Sequence, residues 1–205
     1  RYKSHLLFKW IADLIRDPRL LDVAESLVGP NILCWSTHWL IKEARAPQYV
    51  SWHQDSQYWG VQSDRFVSFW LAISPATAHS GCVRVLPGSH DQPDMRHVDT
   101  YSANNMLTRG QTIQAVDVSQ AVELELEPGE VALFDYRIAH ASNPNQSDDR
   151  RIGLAIRYMA PEARQVRGPW DSATLVRGED PYGNLELEVP GSKIFKKSKK
   201  ILSAP

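Results

Sequence analysis

Cysteine is scarce in these 205 residues: there are two, Cys34 and Cys82, each in apolar surroundings and with no C-x-x-C spacing. That excludes a disulfide-stapled scaffold and a cysteine-built zinc knuckle, and it fits a reducing compartment, the cytoplasm. No apolar run reaches the length of a membrane span, and no leader-like pattern opens the chain. Charge imbalance is absent too. With 23 basic and 24 acidic residues the net charge is −1, so no global field draws the chain to nucleic acid or to an anionic membrane. The one local excess is Lys193, Lys196, Lys197, Lys199 and Lys200, which reads as a solvated basic tail over 193–205 and not as a phosphate-binding patch. Internal repeats and linker-like stretches are missing, so 1–205 is expected to form a single domain. The chain starts at Arg1, not Met, and so reads as N-terminally truncated.

What is present is globular: 42% apolar and 23% charged residues. Leu6, Leu7, Trp10, Ile11, Leu14 and Ile15 recur at helical spacing, which predicts a helix over 5–15. Asp17-Pro18 supplies a cap and a first-turn proline for a second helix, which Gly29-Pro30 stops. After Pro30 the pattern turns to short strands at 32–42, 66–74, 82–86, 122–126, 131–136 and 152–159. Pro128-Gly129 predicts that 122–126 and 131–136 pair as a hairpin. Strands at this spacing imply a β-sandwich or barrel with helices outside. The polar stretch 91–120 breaks the rhythm, and a loop that long in a ligand-binding barrel reads as a lid.

The chemistry gathers at Trp52-His53-Gln54-Asp55. At a strand end, side chains two positions apart point the same way, so His53 and Asp55 can face one ligand. A second histidine would complete two imidazoles and one carboxylate, the facial triad of a non-haem Fe(II) oxygenase. His-x-Asp alone is weak, since most copies are surface pairs. Among seven histidines, His5, His79, His90 and His97 lie in helix or turn contexts and read as surface groups, whereas His38, His53 and His140 lie on or beside strands. His140 follows strand 131–136, and Arg151 comes eleven positions later at the start of the next strand. An inward arginine needs an anion, and its planar fork suits a carboxylate. The competing structural reading pairs Arg151 with Asp148 or Asp149, while Arg150 faces outward. Trp52, Tyr58, Trp59 and Tyr136 suit either a substrate wall or plain core. Arg109, on the 91–120 stretch, suits either a substrate anion or solvent.

Taken together, His53, Asp55, His140, Ser142 and Arg151 resemble the phytanoyl-CoA dioxygenase family of Fe(II)/2-oxoglutarate-dependent oxygenases. The resemblance runs from about Trp39 to Met159 and includes Tyr58-Trp59, Ser80-Gly81-Cys82, Leu86-Pro87-Gly88-Ser89-His90 and Pro128-Gly129-Glu130. It implies a mainly β fold, a double-stranded β-helix or jelly roll with supporting N-terminal α-helices. It also implies that His53, Asp55 and His140 bind iron, that Arg151 pairs with the distal carboxylate of 2-oxoglutarate, and that Ser142 assists it. Trp70 matches a tryptophan lining the cosubstrate pocket, and His38 falls where relatives often place a glutamine against 2-oxoglutarate. The implied reaction uses Fe(II), 2-oxoglutarate and O2 to hydroxylate a small organic molecule, with succinate and CO2 released. Halogenating relatives carry a small residue where Asp55 stands, so the carboxylate favours hydroxylation. Tyr58, Trp59 and Arg109 are the candidate substrate contacts. Neither nucleic acid nor membrane is an expected partner. A zinc hydrolase, a non-catalytic jelly-roll binding protein and a nucleic-acid oxidase are the competing classes.

Overall fold

The structure, a computed structural model, describes residues 2–93, 95–168 and 171–188, and the basic tail at 193–205 lies outside the described residues. In chain order the first elements are α1 (Lys9–Leu14), α2 (Pro18–Val28), β1 (Ile32–Lys42), β2 (Val50–His53), α3 (Ser56–Trp59), β3 (Val61–Gln62) and β4 (Phe66–Ala72). Then come β5 (Val83–Val85), β6 (His97–Asp99), β7 (Gln111–Ile113), β8 (Val122–Leu124), β9 (Val131–Phe134) and β10 (His140–Ser142). The last strands are β11 (Arg151–Met159), β12 (Arg164–Gln165), β13 (Ser172–Arg177) and β14 (Glu186–Leu187). The described residues divide into two compact units, one drawn from 2–38, 61–67, 156–168 and 171–188, the other from 39–60, 68–93 and 95–155.

In the first unit the expected helix over 5–15 is broken. Ser4–Leu6 forms a 3₁₀ turn and Phe8 is extended before α1 begins. Tertiary bonding overrides the helical pattern here: Ser4 Oγ lies 3.2 Å from Thr37 Oγ1 and His5 Nδ1 lies 2.9 Å from it, which ties the first turn to β1. His5 is therefore buried at 1% exposure, which corrects its placement at the surface. The second helix forms as its signals predict. Asp17 accepts from the Arg19 N–H at 2.9 Å, Pro18 opens α2, and Gly29 at φ +91 closes it. Leu21, Ala24 and Val28 supply its buried face. Strand β13 pairs antiparallel with the start of β1 and parallel with β14.

The second unit holds two sheets. One runs β2-β10-β5-β8, and in the other the unit's parts of β1, β11 and β4 are followed by β9. Trp70 and Ala72 from β4, Val83 and Val85 from β5, Ala155 from β11 and Ile138 bury their side chains between them. Alternating strands present these residues to one face, the pattern of a packed sandwich. The hairpin expected across Pro128-Gly129 does not form. Strand β8 pairs with β5 and β9 with β4, so the turn at Gly129, φ +93, carries the chain from one sheet to the other. That crossing is jelly-roll topology, and the mainly β fold holds as expected. The 91–120 stretch is not structureless. Its β6–β7 hairpin is anchored beside β2 by Tyr49 N–H to Asn104 O at 3.0 Å and Met106 N–H to Tyr49 O at 2.8 Å. Both cysteines are free and buried, and no described helix is long and apolar enough to cross a membrane.

Candidate metal centre

Strands β2 and β10 run antiparallel with His53 directly opposite His140, and their imidazole centroids are 4.1 Å apart. Cross-strand pairing thus brings together two residues far apart in sequence. His53 Nδ1 donates to Ser51 O at 2.9 Å and His140 Nδ1 to Ile138 O at 3.0 Å. A carbonyl can only accept, so each Nδ1 carries a hydrogen, and Nε2 is the ring nitrogen that each histidine turns toward Asp55.

Asp55 arrives differently from the strand-alternation expectation. The strand ends at His53, and Asp55 adopts φ −62, ψ −32 as the residue that opens α3. Its Oδ1 lies 3.4 Å from His53 Nε2 and its Oδ2 3.8 Å from His140 Nε2. The turn is held by Gln54, fully buried, which donates from its side chain to Arg137 O at 2.7 Å and accepts from the Met95 N–H at 2.9 Å. The Gln54 N–H reaches His97 Nε2 at 3.0 Å, so His97 also belongs to the scaffold of the site and not to open surface. All three ligand atoms lie within 4.8 Å of one another, and among the described residues no second such group of His, Cys, Asp or Glu converges. Two imidazoles and one carboxylate on one side of a point fit an octahedral iron with open positions.

The same unit contains two buried cations without an acid. Arg151 is 2% exposed, its Nη1 reaches Leu40 O at a long 3.4 Å, and its Nε has no partner. Its guanidinium lies 5.2 Å from the Trp70 ring centroid, and burial pulls it down to about 10. The alternative ion pairs are not made: Asp148 is bound by Arg45 at 2.6 Å, and Arg150 faces outward to Glu43 at 2.6 Å. Trp70 buries an indole N–H with no acceptor. Gly153 makes room for it, since a Cβ there would lie 2.1 Å from the indole ring. Lys42 is 1% exposed and donates to Ser142 Oγ at 2.7 Å and to Asn143 O. Sequence reasoning missed Lys42, because a lysine that ends a strand reads as solvated. Buried cations and orphaned donors are unfavourable until an anion meets them, so these groups fit a carboxylate ligand.

The other expected residues divide. Tyr58 packs edge-on to His97 with centroids 5.4 Å apart, and its buried hydroxyl has no partner, its phenol pushed up to about 12 by burial. Arg109 lies 5.7 Å over the Tyr58 ring and pairs with Asp99 at 3.3 Å while half-exposed. Trp59 stacks on Tyr136 at 6.3 Å. Trp52 lies under Arg84 at 5.7 Å. His38 belongs to the first unit, its ring 4.8 Å from Tyr2.

A jelly roll with a His-Asp-His cluster on its smaller sheet and turn is the fold of the Fe(II)/2-oxoglutarate oxygenases. Residues 8–153 match the family model for phytanoyl-CoA dioxygenase, and the chain belongs to that family. A probable alpha-ketoglutarate-dependent hypophosphite dioxygenase of Stutzerimonas stutzeri is 30% identical over 167 residues, covering 80% of this chain and 58% of that protein. Human peroxisomal phytanoyl-CoA dioxygenase is 26% identical over 179 residues, covering 85% and 50%. The chain thus spans about half the length of these curated relatives. Among solved structures, the non-heme monooxygenase ThoJ in its apo form is 32% identical with a TM-score of 0.83, covering 98% of this chain and 74% of that one. CytC3 with Fe(II) and alpha-ketoglutarate is 26% identical with a TM-score of 0.67, covering 91% and 72%.

Proposed function

We propose that this chain is an Fe(II)- and 2-oxoglutarate-dependent dioxygenase that hydroxylates a small organic molecule and releases succinate and CO2. One observation carries the reading: a unit that brings a His-Asp-His triad together also buries the Arg151 guanidinium, with the Lys42 amine buried near it and no acid among the described residues paired with either. His53, Asp55 and His140 would hold the iron, with the Nδ1 of each imidazole already tied to a backbone carbonyl and Nε2 as the ligating atom. Bound iron supplies, with O2 and the keto acid, the oxidising power for the reaction. Arg151 would bind the distal carboxylate of 2-oxoglutarate through its fork, Ser142 would donate to it, and the Trp70 indole would hold the guanidinium flat. Asp55 occupies the position at which a halide would otherwise compete, which supports hydroxylation. Tyr58, Trp59 and Arg109 would face the primary substrate, with the unpartnered Tyr58 hydroxyl as its polar contact. We propose further that 1–205 acts as one dioxygenase domain, and the two free cysteines support a reducing, cytoplasmic setting. A zinc hydrolase would use the triad but leave Arg151 and its orphaned N–H without a task.

Turnover tests the proposal. Protein reconstituted with Fe(II) in air is expected to convert 2-oxoglutarate to succinate, slowly without the primary substrate. His140→Ala is expected to abolish this with the circular dichroism spectrum unchanged. Succinate formation retained in His140→Ala, or ester hydrolysis by the zinc-loaded protein without it, overturns the assignment.

A further inference from the structure

Lys42 ends β1 with its stem and ammonium buried, a costly placement for a primary amine. A cage has formed around it. The ammonium donates to Ser142 Oγ at 2.7 Å and to Asn143 O, and Gly81 closes the far side. At φ +74, a Cβ on Gly81 would lie 2.3 Å from Asn143 O, 3.0 Å from Pro144 O and 3.1 Å from Lys42 Nζ. The Ser80-Gly81-Cys82 turn is therefore glycine-centred because the lysine cage leaves no room there.

An ammonium has three donors and no acceptor, so Ser142 can only accept from it. The hydrogen on the Ser142 hydroxyl must then point elsewhere, which makes Ser142 a donor to whatever binds beside Arg151. Resting on the dioxygenase reading above, we propose that Lys42 is a positioning residue for the cosubstrate: it fixes Ser142 as a donor to the 2-oxoglutarate carboxylate and takes up a proton when that carboxylate binds. The charge balance supports the second half. Burial first, and the neighbouring Arg151 second, pull Lys42 down to about 7. The groups bearing on it are Arg151 from β11 and the Cys82 thiol ahead of β5; Glu43, next in sequence, is turned away to Arg150 at 2.6 Å. Without cosubstrate, then, the lysine is largely an amine at pH 8, free to accept from Ser142 and reverse the hydroxyl. An arriving dianion restores the ammonium.

Calorimetric titration of the anaerobic Fe(II)-loaded protein with 2-oxoglutarate, in two buffers of different ionisation heat at pH 8, reads this directly. Wild-type protein is expected to take up about one proton per 2-oxoglutarate bound, with Kd rising about tenfold from pH 7 to pH 8.5. Lys42→Met is expected to bind more weakly at pH 7, with no proton uptake and a flat profile. Ser142→Ala is expected to weaken binding yet keep the uptake. Binding by wild-type protein with no proton uptake and a pH-independent Kd overturns the role of Lys42 while leaving the dioxygenase assignment standing. Complete failure to bind 2-oxoglutarate at any pH overturns both. The wild-type measurement decides even if Lys42→Met does not fold.

Discussion

Arg151 pays for its burial with no acid in reach, and that makes it a sharp test of what the second unit is built to hold. Arg151→Met removes the unpaired cation and keeps the volume. The 2-oxoglutarate Kd is expected to rise at least about thirtyfold, a loss of roughly 2 kcal/mol for a charge-assisted carboxylate pair. The cosubstrate-free protein should melt at the same temperature or higher, because an uncompensated buried charge opposes folding. Unchanged affinity with a collapsed melting temperature would make Arg151 a structural group instead. At this scale much was legible in the sequence. His53, His140 and Arg151 each sit at the end or start of a strand, where position in sequence maps simply onto place in the fold, whereas Asp55 reaches the same cluster from the residue that opens α3. Lys42 and Gln54 were not legible. Their roles depend on Asn143, Ser142, Arg137 and Met95, which lie far away along the chain.

Between elements, the decisive contact is β11 against β4, where Gly153 accepts the Trp70 indole. Gly153→Ala puts a methyl into that ring and must push the indole off the guanidinium. Overpacking of this kind costs about 1–3 kcal/mol, and the displaced Trp70 should weaken 2-oxoglutarate binding about tenfold. Thermal melting and calorimetry check both, and wild-type values for each would mean that the indole does not need its present position. The strands β1, β4, β5, β8, β9 and β11 were readable from β-branched and aromatic runs, since that pattern reflects burial within one element; β6 and β7 within 91–120, and β12 to β14 after an expected last strand at 152–159, were not. Strand partners were not: Pro128-Gly129 marks a turn equally well for a hairpin and for a crossing between sheets, and only long-range packing chooses. In the same way the apolar period over 5–15 was real, yet two polar bonds to Thr37 broke the helix it predicted.

For the molecule as a whole, stability and the proposed activity draw on different groups. In the first unit, Glu188 would be raised by burial but is held down to about 2 by hydrogen bonds and charge from His5, Lys3 and Ser172; Lys3 Nζ lies 2.7 Å away. A depressed carboxylate stabilises the fold above its unfolded value near 4.5 and loses that contribution as pH falls toward 2. Denaturant melts should therefore lose about 3 kcal/mol over that interval from this group, and Glu188→Gln should shallow the slope; an identical pH slope in the variant would remove Glu188 from the account. The proposed activity is assigned to the second unit, and one measurement tests it most directly: anaerobic addition of Fe(II) and then 2-oxoglutarate to metal-free protein, followed by visible absorption. The triad and the acid-free cations predict the charge-transfer band of an iron-chelated keto acid, present in the wild type and lost in His53→Ala. Iron binding without that band, or a band that survives His53→Ala, would contradict the dioxygenase reading.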